Sequence, residues 1–451
     1  MTALLGDIRR CFEGAVPSTI ATCAPDGTPN VAYLSQVHYI DDEHVALSFQ
    51  FFNTTRRNIL VNPRATVQVV DPLTAAHYRL QLQYLRTETG GPLFENMKAK
   101  LAGIASHTGM SKVFRLQGSD VYRVLAMERV FGETPQRVEG RLPALPALRA
   151  CLAGFAGCGD LAQLFDEALR GLDRHLAIHH CMLLVHDEAR GRLYTVATRG
   201  YTDSGVGSEI GMGEGIIGVA ARERTPIRIG YAAREYLYSR MTREGFARGG
   251  RGDALETEIP FPGLPDSGSQ MAVPLVFADR LLGVLYVESG HELRFTYEDE
   301  DLLAVVAGQL ALAMELLARA ADDSAEAGAE APLAAAPGGA PVVVRHFASD
   351  HSVFIGSDYL IKGVAGAIAW KLVRDHVDAG RSEFTNRELR LDPALGLPEV
   401  CDNLEARLIL LQRRLAERCP FLAITKTGRG RFRLDVRRPL QLAELPGRRG
   451  A

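Results

Sequence analysis

The chain has 451 residues, of which 47% are hydrophobic and 23% charged, and its formal net charge is −3. This is the composition of a soluble globular protein with material for about three domains, so a disordered or fibrous chain is excluded. The first residues are too polar for a signal peptide, and the most apolar stretch, residues 302–317, is interrupted by Gln309 and Glu315 and too short to span a bilayer.

The seven cysteines are unevenly spaced and form no C-x-x-C pair. An odd number of cysteines argues against a disulfide framework and fits a reducing compartment. We therefore expect a cytoplasmic protein with no metal site and no membrane partner.

Residues 1–135 are predicted to form a compact barrel of short strands with two or three small helices. Turn signals at Pro25-Asp26-Gly27 and Asp41-Asp42 separate the strands. The predicted helices are 3–12, 55–60 and 94–105, and the predicted strands are 18–23, 31–38, 45–49, 65–70, 77–88 and 120–128.

Three segments of this region carry a resemblance: "STIATCAPDGTPNVAYLSQVHYIDDEHVALSF", "NTTRRNILVNPRATVQVV" and "SDVYRVLAME". Together they resemble the FMN-binding split barrels of the pyridoxamine 5′-phosphate oxidase-like group. The resemblance implies an FMN site shared across a dimer, with charge-assisted hydrogen bonds to the phosphate. Ser35, Gln36 and Ser48 would line the flavin ring, and Asn53, Thr54, Thr55, Arg56 and Arg57 would hold the phosphate.

The sequence departs from the oxidase itself. Thr54-Thr55 stand where the family has a lysine, Ala32 replaces an arginine of the enzyme, and no substrate-binding segment of the oxidase kind follows. We therefore expect a flavin-binding or ligand-free barrel rather than that enzyme. A barrel that has lost its ligand and serves only in dimerisation remains an alternative, with Arg56 and Arg57 at a solvated helix start.

Residues 145–320 are predicted to alternate helices and strands around an antiparallel sheet. Thr296, with Asp299 three positions later, has the spacing of a cap for the last helix. The predicted helices are 148–155, 161–176, 216–222 and 296–321, and the predicted strands are 181–186, 193–199, 225–229, 269–277 and 281–288.

The segments "GMGEGIIGVAARERTPIRI", "SQMAVPLVFADRLLGVLYVES" and "FTYEDEDLLAVVAGQLALAMELL" resemble a GAF sensory domain, an α/β sandwich with an antiparallel sheet. Helices behind the sheet would leave its other face free for a ligand pocket. Residues 231–268 would cover that pocket, since such long irregular segments are often functional. Tyr236, Tyr238, Met241 and Phe246 are the candidate contacts to an unknown small molecule, although local packing explains them equally well.

The last GAF helix, residues 301–321, carries apolar residues at three- and four-residue spacing, which suits parallel pairing with a second copy. Residues 321–341 are Ala-, Gly- and Pro-rich and predict a flexible linker. Since such a linker transmits no torque, upstream domains must act on the C-terminal region through dimer geometry, effective concentration or occlusion.

Residues 342–437 are predicted to form apolar strands followed by three helices and a hairpin. Trp370 lies in the first helix, and Thr385 and Glu388 have capping-box spacing at the start of the second. In the third helix Leu404, Leu408, Leu411 and Leu415 form one buried stripe. Pro420 ends that helix, and a hairpin with a Gly-Arg-Gly tip follows.

This order, and above all the third helix running into "TKTGRGRFRL", resembles the winged helix-turn-helix output domains of two-component response regulators. The resemblance implies binding to double-stranded DNA. Residues 341–451 hold 19 Lys+Arg against 13 Asp+Glu, whereas the other 340 residues have a net charge of −9. Positive charge at this end suits phosphate neutralisation. Arg407, Arg413 and Arg414 would meet the groove, and Lys426, Arg429 and Arg431 the phosphates or minor groove.

The sequence thus predicts a multidomain α+β protein: a split β-barrel, a GAF domain and a C-terminal winged helix. Its predicted function is a ligand- or redox-responsive transcriptional regulator that forms a homodimer. No kinase, cyclase, phosphodiesterase or Ser/His/Asp pattern indicates an enzyme. Two alternatives stay open: an FMN-dependent oxidoreductase with a regulatory GAF domain, and a signalling scaffold whose basic end binds a protein.

Overall fold

The computed structural model describes residues 4–101 and 116–131 with short gaps, 144–229, 259–323 without 293, 338–395, and 404–445 without 429. It confirms the multidomain α+β class. The N-terminal and middle domains each contain one sheet, and the C-terminal domain contains two. Each domain also has its own helices.

The N-terminal domain is a curled seven-stranded antiparallel sheet of order β2-β1-β5-β6-β7-β4-β3. A 3-10 helical segment, Leu5–Phe12, precedes it, and helix α1 (Thr54–Val61) follows the fourth strand. Residues on β5 alternate between buried and exposed, as expected for a sheet with one covered face. The strands are β1 (Ser18–Cys23), β2 (Pro29–Leu34), β3 (Val37–Tyr39), β4 (His44–Phe49), β5 (Arg64–Val70), β6 (His77–Glu88) and β7 (Gly118–Phe131).

One sequence prediction in this domain needs revision. The single strand predicted at 31–38 is two strands, β2 and β3, interrupted after Leu34. The long β6–β7 pair contains three register shifts, and such bulges bend a sheet, which is how these strands curl around the core. The helix predicted at 94–105 lies partly outside the described residues.

The middle domain has a six-stranded antiparallel sheet of order β10-β9-β8-β13-β12-β11. Its helices are α2 (Ala144–Ala153), α3 (Leu161–Leu176), α4 (Gly215–Glu223) and α5 (Tyr297–Asp323). Its strands are β8 (His180–Asp187), β9 (Arg192–Arg199), β10 (Glu209–Gly211), β11 (Ile227–Ile229), β12 (Ser269–Phe277) and β13 (Arg280–Ser289).

Both faces of this sheet are covered, which explains its continuous apolar strands. On β8, Cys181, Leu183 and Val185 pack with the cluster that includes α3 and α5. The intervening Met182 and Leu184 pack with α4 on the opposite face. The prediction that this second face is left free is therefore wrong for the described residues, because α4 occupies much of it.

Helix α5 is 27 residues long, and its segment Tyr297–Arg319 is long and apolar enough to cross a membrane. That segment is longer than the stretch of residues 302–317 identified in the sequence, and it meets the criterion by length and composition alone. One face of the helix, including Leu303, Val306 and Leu310, is fully buried against the middle domain. A core helix of a globular domain has this pattern. The predicted cap is present, with the Thr296 amide donating to Asp299 over 2.7 Å.

The C-terminal domain combines a four-stranded sheet, β16-β15-β14-β20, with three helices and a three-stranded sheet, β17-β19-β18. The predictions for this region missed β16 and β20; β20 pairs in parallel with β14. Its helices are α6 (Gly363–Ala379), α7 (Asn386–Leu391) and α8 (Leu404–Arg418). Its strands are β14 (Val342–Phe347), β15 (Ser352–Ile355), β16 (Asp358–Ile361), β17 (Glu383–Thr385), β18 (Leu422–Gly428), β19 (Arg431–Val436) and β20 (Leu440–Leu445).

The middle domain contacts both of its neighbours. Near β11 and the start of α5 it meets the barrel, where the Tyr297 hydroxyl donates to the Phe12 carbonyl over 3.3 Å and Asn96 donates to Thr225 over 2.8 Å. Near β8, β9 and β10 it meets α8 of the C-terminal domain. The two contacts therefore lie toward opposite edges of its sheet.

Candidate functional sites

A pocket in the barrel contains three of the residues predicted to bind a flavin. Ser48, Thr55 and Arg56 line it, together with Phe49 and Asp120. It lies between β1, β2, β4, β7 and α1, where the curled sheet opens toward the helix. Ala32, the position of the missing enzyme arginine, also lines it.

The charge of Arg56 is matched within this pocket. Its guanidinium lies 2.5 Å from the Asp120 carboxylate and stacks over the Phe49 ring at 4.6 Å. Burial raises the pKa of Asp120, although hydrogen bonds from Thr87 and Arg56 act against that shift. An anion bound at Arg56 would therefore compete with a carboxylate that is only 5% exposed.

The other predicted barrel residues are spread around the pocket. The Ser48 hydroxyl accepts a hydrogen bond from the Gln36 amide, and Thr55 accepts one from Asn30. Thr54 and Arg57 are exposed at the first turn of α1, where the Arg57 guanidinium donates to the Thr54 hydroxyl over 3.1 Å. Ser35 and Asn53 lie outside the described residues.

Two glutamine side chains of the barrel carry buried acceptors. The side-chain carbonyl oxygens of Gln36 and Gln50 are buried and have no hydrogen-bond partner among the described residues. Buried polar atoms are normally paired, so each is a vacant position for a donor. Gln50 lines the pocket, so its oxygen fits the single ring N–H of an oxidised flavin, and Arg57 with Thr54 supplies a cationic position for the phosphate at the start of α1.

The predicted contacts in the GAF pocket, Tyr236, Tyr238, Met241 and Phe246, all lie outside the described residues. The structure identifies a different polar group in this domain. Glu288, near the end of β13, is only 3% exposed and accepts hydrogen bonds from the Leu264 amide at 3.0 Å and the Tyr286 hydroxyl at 3.4 Å.

Aromatic rings surround this carboxylate. Burial raises the pKa of Glu288 despite its hydrogen bonds, and burial together with the Glu288 charge raises the pKa of Tyr201. The ring of Tyr201 lies 5.7 Å from that of His180, and Phe261 packs edge-on against Tyr286. A buried carboxylate in an aromatic setting is a candidate contact for a polar ligand group.

Two of the three arginines predicted to enter a DNA groove pair with carboxylates of the middle domain, and the third bonds within its own domain. Arg407 is 3.2 Å from Asp187, and Arg413 is 2.7 Å from Asp166. Arg414 is buried, and its guanidinium donates to the Leu360 carbonyl at 3.0 Å and pairs with Glu417 at 3.1 Å. Burial lowers the pKa of Arg414 from its ordinary value.

The hairpin β18–β19 is the predicted wing. Lys426 is half exposed and lies 2.9 Å from Asp160 of the GAF domain. Arg431 begins β19 and pairs in register with Gly428. Arg429, at the tip, lies outside the described residues.

Metal and thiol chemistry receive no support from the described parts of the chain. No group of three or more His, Cys, Asp and Glu side chains there has the spacing of a metal site. Burial raises the pKa of Cys11 and Cys181 to about 12, which keeps these thiols protonated and unreactive.

Sequence reasoning missed Glu288 and the GAF acids that pair with α8. A signal for Glu288 was present, since it is a charged residue at the end of an otherwise apolar strand, "LLGVLYVE". For Asp160, Asp166 and Asp187 there was none, because isolated surface acids reveal no partner in another domain.

Comparison with known proteins confirms two of the three domains. Residues 4–130 match the family model described as pyridoxamine 5′-phosphate oxidase, and residues 158–315 match that of the GAF domain. The chain therefore contains a split-barrel domain of that type followed by a GAF domain. Neither model extends into the C-terminal domain.

Solved structures resemble single domains of the chain. The GAF domain of an Acinetobacter phosphoenolpyruvate-protein phosphotransferase is 19% identical and covers 39% of this chain and 94% of its own, with a TM-score of 0.31. An FMN-binding protein from Syntrophomonas wolfei is 17% identical, with coverages of 29% and 86% and a TM-score of 0.24. Group A Streptococcus HupZ is 19% identical, with coverages of 27% and 95% and a TM-score of 0.22. No curated protein matches the chain.

Glu288→Gln is expected to change how stability depends on pH. Because the folded protein raises the pKa of Glu288, its stabilising contribution is present below the ordinary glutamate pKa and is lost as pH rises through the raised value. The variant should melt a few degrees above the wild type at about pH 8, and the difference should vanish at about pH 4. Thermal unfolding at both pH values measures this.

Glu292→Gln, at an exposed position of the same domain, is the control and should leave the difference near zero at both pH values. Equal melting temperatures for the wild type and Glu288→Gln at both pH values would show that burial does not raise the pKa of this carboxyl group.

Proposed function

We propose that the chain is a transcriptional regulator in which the barrel and GAF domains respond to a small ligand or to redox state and the C-terminal domain binds duplex DNA. The first part is supported by the two domain families, which are typical of sensory and regulatory proteins. The observation that carries the second part is the order of elements α6, α7, α8 and the β18–β19 hairpin, with β17 completing its sheet. A winged helix-turn-helix has this order, and its recognition helix lies in the major groove.

Charge supports the same reading. The C-terminal 111 residues carry a net charge of +6 in a chain whose total is −3. Most of the affinity of a protein for duplex DNA comes from neutralised phosphates. Arg407, Arg413 and Arg414 on α8 are the proposed groove contacts, and Lys426, Arg429 and Arg431 on the wing the proposed phosphate contacts.

We expect the double variant Arg429→Ala/Arg431→Ala to weaken binding to duplexes of any sequence. Each lost phosphate contact should also reduce the slope of log affinity against log salt by about one. Fluorescence anisotropy of the full chain with a labelled duplex, from about 50 to 200 mM salt, measures both quantities.

The matched control is Arg222→Ala/Arg319→Ala, which removes the same charge from exposed positions of the GAF domain. It should leave the slope unchanged. Duplex affinity that ignores salt, or that falls equally in both double variants, contradicts DNA binding through the wing and favours a protein-binding scaffold.

We also propose that the barrel binds FMN. A bound flavin would supply a redox-active ring. The buried side-chain oxygen of Gln50, which lines the pocket, would accept a hydrogen bond from the ring N–H, and Arg57 and Thr54 would hold the phosphate. Asp120, which neutralises Arg56, would oppose the phosphate charge.

Protein reconstituted with FMN should be yellow, and Arg57→Ala should weaken FMN binding about tenfold or more, because a charge-assisted contact is lost. Flavin fluorescence quenching during titration measures the affinity. Arg64→Ala, at an exposed position on β5, is the control. Absence of binding to the wild type contradicts the flavin proposal, and oxidation of a reduced nicotinamide by the yellow protein would instead favour an FMN-dependent oxidoreductase.

We further propose that two copies pair through α5. Val305, Leu312 and Leu316 are 46%, 38% and 59% exposed, and their spacing of seven and four residues places them on one stripe of the helix. Solvent-exposed apolar stripes on a long helix are the usual seam of a parallel coiled coil.

Leu316→Glu should shift the protein from dimer to monomer, because it places a charge within that seam. Sedimentation equilibrium measures the mass. Ala304→Glu introduces the same charge at an exposed position of α5 about a quarter-turn away, and should leave the dimer intact. A monomeric wild type, or equal masses for both variants, contradicts pairing through α5.

A further inference from the structure

The outward face of α8 is packed against the GAF domain. We call Arg407, Leu410, Arg414 and Glu417 the docked face, since their spacing of three and four residues places them on one side of the helix. The adjacent stripe, with Leu404 and Leu411, is buried in the C-terminal domain itself. The side of the helix that carries Arg407 and Arg414 is therefore covered, whereas Gln412 and Ala416 on the far side are exposed. A recognition helix needs its base-contacting side open to DNA.

Ion pairs connect the two domains around this face. Arg407 meets Asp187, and Arg413 meets Asp166 while also donating to the Val196 carbonyl at 2.8 Å. Lys426 on the wing meets Asp160 at 2.9 Å. Lys362, before α6, lies 3.7 Å from Glu209.

In each of these four ion pairs, one domain supplies the carboxylate and the other supplies the cation. All four carboxylates belong to the GAF domain, and we call Asp160, Asp166, Asp187 and Glu209 its acidic face. All four cations belong to the C-terminal domain. Three of them, Arg407, Arg413 and Lys426, are among the proposed DNA contacts, so the GAF carboxylates hold the side chains that phosphates would hold.

Part of the docked face is closely packed against the GAF domain. Leu410 and Arg407 are 5% and 4% exposed, and a Cβ on Gly207 would lie 3.6 Å from the Leu410 methyl. Ser204 donates to Glu417 over 2.6 Å on the same border. A duplex has no access to the docked face in this arrangement, because the GAF segment 204–209 lies against it.

We propose that the acidic face of the GAF domain is a docking surface for the DNA-contacting face of the same chain, so that DNA and the GAF domain compete for α8. This inference rests on the proposed function of the C-terminal domain. The docked chain is the form that does not bind DNA, and undocking releases α8. A flexible linker lets the upstream domains act through dimer geometry, effective concentration or occlusion. Docking of α8 on the GAF domain is occlusion.

The competition between DNA and the GAF domain changes the apparent affinity for DNA by an amount that can be measured. When the docked form predominates, the apparent affinity for DNA is reduced by the fraction of chains that are undocked. Removing acidic groups from the GAF side leaves every proposed DNA contact intact and raises that fraction. DNA affinity should therefore rise on mutation of residues that never touch DNA.

The test uses the full chain with Asp160→Asn/Asp166→Asn/Asp187→Asn. Asparagine keeps the N-cap hydrogen bond that Asp160 accepts from the Gln163 amide, so α3 remains intact. We expect duplex affinity to rise about tenfold or more over the wild type at about 100 mM salt. Amide exchange of segment 204–209 should speed up in the same variant, because the docked face no longer covers it.

The matched control is Asp266→Asn/Asp279→Asn/Glu292→Gln, which removes three exposed acidic groups of the GAF domain away from the docked face. It makes the same change in net charge, so a rise in DNA affinity shared by both triple variants reflects total charge and overturns the docking proposal. Unchanged exchange of 204–209 in the first variant also overturns it, since the carboxylates then do not hold α8.

The two proposals fail differently. If the wild type and both triple variants bind duplex equally well, the C-terminal domain binds DNA and the docking proposal alone is overturned. If the first variant exposes 204–209 and still binds no duplex at low salt, DNA binding itself is overturned, and the docked face is then an ordinary contact between domains.

Discussion

The buried ion pair between Arg407 and Asp187 fixes the relation between the sensory and the C-terminal parts of this chain. Both side chains are buried, with 5% and 9% of their surface exposed. Taking either charge away while the other stays buried costs about 3–5 kcal/mol, whereas a matched pair is tolerated. The helix that carries Arg407 is therefore either docked with its carboxylate partner or free with its cation in water or against another anion.

This constraint gives meaning to the uneven charge of the chain. A net charge of −9 in the first 340 residues and +6 in the rest predicts attraction between the two parts as well as attraction of the basic part to nucleic acid. Part of the acidic surplus lies on the GAF surface that faces α8. Carboxylates and phosphates recognise the same guanidinium groups, so one set of arginines suits both partners.

The GAF domain is also the only described link between the barrel and α8. The barrel meets it near β11 and the start of α5, through Phe12 and Tyr297, and α8 meets it near β9. The whole six-stranded sheet lies between these contacts. Any effect of a barrel ligand on the C-terminal domain must cross that sheet or act through the pairing of two chains. A ligand at Glu288 would lie on the sheet itself, next to β12 and β8.

Local sequence patterns predicted many helices and strands well, because each of these elements depends on residues that are close together in the chain. The stripe of Leu404, Leu408, Leu411 and Leu415 is buried as the helical period requires, and strands 18–23, 77–88 and 269–277 have the predicted ends. The pairing of β20 with β14 joins residues about a hundred positions apart, and no periodic pattern in the sequence indicates which strands pair. An arginine beside an apolar stripe reads as a surface cation, and only the folded chain shows whether its partner is water, phosphate or a carboxylate.

Amide exchange of the GAF segment 204–209, measured in the full chain with and without duplex DNA, tests the competition most directly. If DNA and the GAF domain share α8, saturating duplex should draw the helix away and speed the exchange of that segment, while β12 in the sheet centre stays unchanged. Slower or unchanged exchange at 204–209 with DNA bound would mean that the helix remains docked, and would contradict the account.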